Sequence, residues 1–174
     1  LMRMWAQHKT LDEEICWLDA QIAQHVKNDA DAQRAMAIVG VGPITASAAV
    51  TTIGDPRQFK NGRQFAAWLG LVPKQSSSGG KTRLGPITRQ GSDYLRTLLV
   101  QGARSAVVTA GRRHDRVSRW IVQLQQRVGY YKALVAVANK HARILWAILA
   151  RGEQFDPSRA PARHERPGPC PVTA

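Results

Sequence analysis

The sequence predicts an all-α fold, and three observations carry that prediction. Apolar residues recur at helical spacing in three successive segments between 92 and 150. A shorter amphipathic stripe occupies 10–28, and Ile38-Val39-Gly40-Val41-Gly42-Pro43 has the form of a tight turn between two helices. At 174 residues and 44% apolar composition, the chain can bury a core of its own and is too apolar to be disordered throughout.

The elements follow in order. Residues 1–33 hold a connector helix, strongest over 10–28, where Leu11, Ile15, Leu18, Ile22 and Val26 form one stripe. Thr10 is placed to cap it, with Asp12, Glu13 and Glu14 in the first turn near the positive end of the helix dipole. The stripe suits either a short coiled-coil seam or a helix facing a core. The chain opens almost directly on this helix, as expected of a fragment lacking an N-terminal portion.

Residues 34–151 form the main domain. Within 34–55, Gly40 and Gly42 permit a tight turn and Pro43 suits the first turn of the helix that ends near Ile53. This is the pattern of a helix-hairpin-helix, whose turn amides grip phosphate without reading sequence. The alternative is a helical hairpin tightened by glycine for packing alone. Asp55-Pro56 ends the helix, and Phe59, Phe65, Ala66, Trp68 and Leu69 predict a short one over 61–69. A flexible, hydroxyl-rich, cationic loop follows over 74–85. Helices are then predicted over 92–110, 116–128 and 131–150, with Leu95, Leu99, Ile121, Leu145 and Trp146 among the inward positions. The charged, proline-rich tail over 152–174 should stay disordered.

Charge sharpens the functional reading. The formal net charge is +13, and it is concentrated: 57–151 holds eighteen Lys and Arg against Asp93 and Asp115 alone, a net +16. Residues 1–56 hold four bases and seven acids, a net −3, and the tail is neutral. So one-sided a segment calls for a polyanionic partner, and nucleic acid is the usual one. No apolar run reaches the roughly 18 residues needed to span a bilayer, and no leader pattern opens the chain, so a soluble cytoplasmic protein without a membrane partner is expected. Cys16 and Cys170 lack the spacing of a disulfide framework or a zinc site. The five histidines show no ligand spacing, and carboxylates are too sparse in the basic segment to build a metal-ion nuclease from this chain.

The Ser-Gly loop is the one segment with nucleophiles in a cationic setting. A serine hydroxyl attacks phosphate only when its proton is removed and the phosphodiester is neutralised. Lys74, Lys81, Arg83 and Arg89 could supply the positive field, and Gly79 and Gly80 would let the backbone approach a nucleic acid closely. On residues alone, a phosphate-contacting or linker role competes with a catalytic one. Gly80-Lys81-Thr82 lacks the upstream glycine spacing of a P-loop.

These blocks together resemble a known family. Ile38-Val-Gly-Val-Gly-Pro-Ile-Thr-Ala, Ile53-Gly-Asp-Pro-Arg-Gln-Phe-Lys, Phe65-Ala-Ala-Trp-Leu-Gly-Leu-Val-Pro-Lys-Gln, Ser77-Ser-Gly-Gly-Lys-Thr-Arg-Leu-Gly and Gly91-Ser-Asp-Tyr-Leu-Arg-Thr-Leu-Leu-Val look like the C-terminal domain of the IS110 family of insertion-sequence transposases, related to the Piv-type DNA invertases. The resemblance covers about 34–110 in ordered blocks, and the preceding helix fits the family's coiled-coil connector.

The resemblance implies an N-terminal RuvC-like domain whose four acidic residues bind Mg²⁺, and a C-terminal domain offering a serine nucleophile for strand exchange. It implies oligomers, guided by a structured RNA, acting on DNA at element ends and target. Carried onto this chain, the nucleophile falls at Ser78, with Ser77 second. Gly40, Gly42, Lys74, Gly79, Gly80, Lys81, Arg83, Arg89 and Arg96 would contact nucleic acid. The sequence departs from the family in showing no acidic tetrad before the connector, so Mg²⁺ is expected only in a domain not represented here, and the chain alone is expected to be inactive. A non-catalytic helix-hairpin-helix module binding DNA or RNA and a decayed transposase remnant remain the alternatives.

Overall fold

The computed structural model describes residues 2–78 and 81–156. Among them are seven α-helices: α1 (Met2–Asn28), α2 (Ala30–Ala35), α3 (Pro43–Ile53), α4 (Gly62–Trp68), α5 (Asp93–Ala110), α6 (Arg116–Val128) and α7 (Tyr130–Arg151). Between α4 and α5 lies an antiparallel hairpin of β1 (Pro73–Ser78) and β2 (Lys81–Ile87). The expected helical fold is met, with one correction: a two-stranded hairpin stands where a flexible loop over 74–85 was expected. Serine and glycine have little strand propensity, but pairing two segments joined by only two residues costs little loop entropy. The proline-rich tail prediction concerns residues that, from 157 onward, lie outside those described.

Helix starts follow their caps. The Asp29 carboxylate accepts from the amides of Asp31 and Ala32 at 2.8 and 2.9 Å, opening α2. The Asn61 side chain accepts from Arg63 and Gln64, both at 3.0 Å, opening α4. Ser92 and Asp115 do the same for α5 and α6, accepting from Leu95 and Ser118. Each satisfies amides that the first helical turn leaves unpaired.

The first helix differs from expectation. It begins at Met2, so Thr10 is no cap; its hydroxyl donates to the Ala6 carbonyl at 3.1 Å within the helix. Side-chain contacts one turn apart, His8 to Asp12 and Lys9 to Glu13, run across the expected start. Leu11, Ile15 and Leu18 stay exposed along with Met4, Trp5 and Trp17, and Val26 is the residue of α1 that enters the core.

The core is organised around α7, which packs on α4, α5, α6 and α2. By length and composition α7 could cross a membrane, but here Ala133, Val137, Ala138, Ala142, Leu145 and Ile148 are sealed against the other helices. Phe65 and Leu69 of the α4 region and Leu95 and Leu99 of α5 are fully buried against that surface. Phe59, Phe65 and Trp68 form an aromatic cluster with ring centroids 5.2–5.9 Å apart.

Candidate nucleic-acid interface

The hairpin leaves the helical body through a tight neck. The amide of Thr88 donates to the Val72 carbonyl at 2.9 Å and that of Arg89 to Gly70 at 3.2 Å. Gly70 and Gly91 both adopt positive φ (+70° and +71°), and a side chain on either would collide with backbone of the opposite limb. Two side chains from the body hold this neck. Arg96 of α5 donates from one guanidinium nitrogen to the carbonyls of Leu69 (3.1 Å) and Gln90 (2.7 Å), and it pairs with Asp93 through the other. Asn139 of α7 donates to the Leu71 carbonyl at 3.0 Å. A two-stranded ribbon alone is marginal in water, so this anchoring is what orients it.

Beyond the neck every residue of β1 is exposed. The register pairs Gln75 with Leu84, Ser76 with Arg83, Ser77 with Thr82 and Ser78 with Lys81. Directly paired residues share a face, and alternate residues of one strand do too. Ser78 therefore lies on the face of Ser76 and Arg83. Ser77 lies on the opposite face with Gln75, whose amide donates to the Ser77 hydroxyl at 3.0 Å, and with exposed Leu84. A register shift between Pro73 and Gln75 falls at Lys74, at the base of the ribbon.

The other expected contacts divide. Arg89 stands exposed beside the neck with φ +58°, a left-handed conformation rare outside glycine. Gly42 precedes α3 with open space around it. Gly40, at φ +88°, instead lies against the backbone of Gly102 in α5, so close that neither position has room for a side chain. Arg96 is only 7% exposed and spends its donors on the neck, against the expectation of a nucleic-acid contact. Gly79 and Gly80 lie outside the described residues.

The family model for IS116/IS110/IS902 transposases matches residues 32–118, from α2 through the hairpin to the start of α6. The chain is 52% identical over 149 residues to a probable family 20 transposase of Pseudomonas aeruginosa, covering 86% of this chain and 44% of that protein. It is 46% identical over 152 residues to the putative transposase y4pF/y4sB of Sinorhizobium fredii, with 86% and 37% covered. To the IS1111A transposase of Coxiella burnetii it is 41% identical over 144 residues, with 83% and 40% covered. The chain belongs to the IS116/IS110/IS902 transposase family. It spans less than half the length of these relatives.

Within this family segment the donor set does not fit a divalent cation. Among the described residues no three His, Cys, Asp or Glu side chains gather where they could hold a metal ion. The neck residues Gly70, Gly91 and Asn139 escaped the sequence reading. Two glycines joining two short runs are a hairpin signal, and Gly79-Gly80 carried it.

Proposed function

We propose that this chain is the DNA-binding C-terminal part of an insertion-sequence transposase and presents Ser78 as the nucleophile of strand exchange. The observation that carries this reading is the placement of Ser78 at the far end of an anchored, exposed ribbon, on the same face as Arg83. In the step, the Ser78 hydroxyl oxygen attacks a phosphodiester phosphorus. An oxygen–phosphorus bond to serine forms as the bond from phosphorus to one sugar oxygen breaks. The serine proton goes to a base outside the hairpin, and the leaving sugar oxygen takes up a proton. A sugar hydroxyl of a second strand then attacks the phosphoserine and restores both groups, conserving the bond.

Arg83 and Lys74 supply positive field to the phosphate in this reading. The Gly40–Pro43 turn acts as a helix-hairpin-helix contact through the open side at Gly42. Element-end and target DNA, a structured guide RNA and further copies of the protein are the partners, and the working compartment is the cytoplasm. The acidic, Mg²⁺-binding domain that the resemblance implies would bring the metal chemistry to this step.

The test is a strand-exchange assay with this sequence joined to such a domain, reading both exchanged product and covalent DNA–protein adduct after denaturation. Ser78→Ala should abolish adduct and product together, while Ser77→Ala should keep the adduct. An adduct that survives Ser78→Ala overturns the assignment.

A further inference from the structure

A second cationic site lies at the other end of α4 from the hairpin. A cavity of about 450 Å³ opens between the start of α4, α7 and the residues after α7. Its walls carry Arg63, Lys140, Arg143 and Arg151, together with the carboxylates of Glu153 and Asp156. The helices meet closely here because Gly62 lies against α7, where an added Cβ would stand 2.9 Å from the Arg143 carbonyl oxygen. That approach brings Arg63 toward the two basic residues of α7.

The charges are unevenly compensated. Arg151 sits 5.1 Å over the Trp146 ring and pairs with Glu153 at 3.3 Å. Lys140 and Arg143 lie one turn apart on α7, both lining the cavity. Like charges at that spacing repel. Burial, and then the neighbouring Arg143, hold the Lys140 ammonium below its ordinary pKa; burial, and then Arg63, act likewise on Arg143. Such a pair is stabilised when an anion enters between its members.

We propose that this cavity binds a phosphodiester group of the same nucleic acid that the hairpin engages, with Lys140 and Arg143 as its principal donors. The proposal rests on the nucleic-acid-binding reading above and extends it to a second contact. The seven residues of α4 separate cavity and neck by about 10 Å along the helix axis. That is on the order of three steps of a nucleic-acid strand at 3.4 Å each.

The test titrates the full chain with labelled DNA and RNA duplexes of one sequence at two salt concentrations. It compares wild type with a Lys140→Gln/Arg143→Gln variant and with a Lys74→Gln/Arg83→Gln hairpin variant. The cavity variant should bind about tenfold more weakly, with a log–log salt slope reduced by about 0.9, as for one lost phosphate. Loss on both duplexes identifies shared phosphate chemistry, and loss on one identifies the source. A second arm follows thermal melting in inorganic phosphate against chloride at equal ionic strength. Phosphate should raise the midpoint of wild type and of the hairpin variant but not of the cavity variant, whose midpoint without phosphate should not fall.

Unchanged affinity and slope in the cavity variant overturn the inference, and if the hairpin variant then weakens, the hairpin reading stands by itself. Weakening confined to the cavity variant supports the inference and counts against the hairpin contact. If wild type binds neither duplex, the nucleic-acid reading fails, and absence of the phosphate melting shift removes the cavity site too.

Discussion

The guanidinium of Arg96 stands 2.7 Å from the carbonyl oxygen of Gln90, 3.1 Å from that of Leu69, and is almost wholly buried. One side chain of α5 thus closes both limbs of the hairpin neck. Arg96→Met would leave two carbonyls without their donor in a buried setting, at a cost of about 3 kcal/mol in urea unfolding. Amide exchange at Thr88 and Arg89, which bond across the neck, should quicken beyond what the global loss explains. A cost under about 0.5 kcal/mol would show that Asn139 and the glycines hold the neck by themselves.

The two turn glycines separate packing from binding. Gly40 combines positive φ with backbone contact to Gly102, whereas Gly42 has ordinary φ and nothing near a built Cβ. Gly40→Ala should destabilise by about 3 kcal/mol or more, and Gly102→Ala comparably, because either forces the turn off α5. Gly42→Ala should stay within about 0.5 kcal/mol. It can therefore be used to ask whether the turn touches nucleic acid, by affinity measurement on a protein whose fold is intact.

How much of this was legible in the sequence depended on the range of the interactions. The limits of α6 and α7 followed from apolar period, a local signal, and the structure sets Asp115 and Gly129 at their starts. The start of α1 did not, because Thr10 resembles a cap although residues 2–9 continue the helix. The hairpin was hidden by its composition: three serines read as loop and outweighed the turn signal of Gly79-Gly80. Arg96 was misplaced for a related reason. The returning neck covers its helix position, and no local pattern encodes a partner 27 residues away. The cavity between α4 and α7 is tertiary, since it forms where Gly62 lets the start of α4 lie against Arg143 of α7.

His141 predicts a dependence of stability on pH. It is 2% exposed on α7, its Nδ1 has no hydrogen-bond partner among the described residues, and burial lowers its pKa from 6.5 to about 4. The unfolded chain therefore binds a proton between those values that the folded chain refuses. Stability is fully present above pH 6.5 and falls as pH drops toward 4, by about 3 kcal/mol at the limit. His141→Leu should flatten that slope in urea unfolding at pH 7, 6, 5 and 4.5. An unchanged slope would place the acid sensitivity in other groups.

The two faces of the hairpin predict different behaviour from adjacent residues. Arg83 lies on the Ser78 face, and Leu84 lies with Gln75 and Ser77 on the other, each exposed and neither part of the core. If phosphate meets the Ser78 face, Arg83→Gln should weaken DNA binding about equally across sequences and reduce the log–log salt slope by about 0.9. Leu84→Ala should alter neither quantity, and both substitutions should leave the unfolding midpoint in place because the strand is solvent-exposed. An equal loss from Leu84→Ala would mean that the ribbon enters a groove edge-on and uses both faces. The choice of Ser78 over Ser77 would then lose its geometric support.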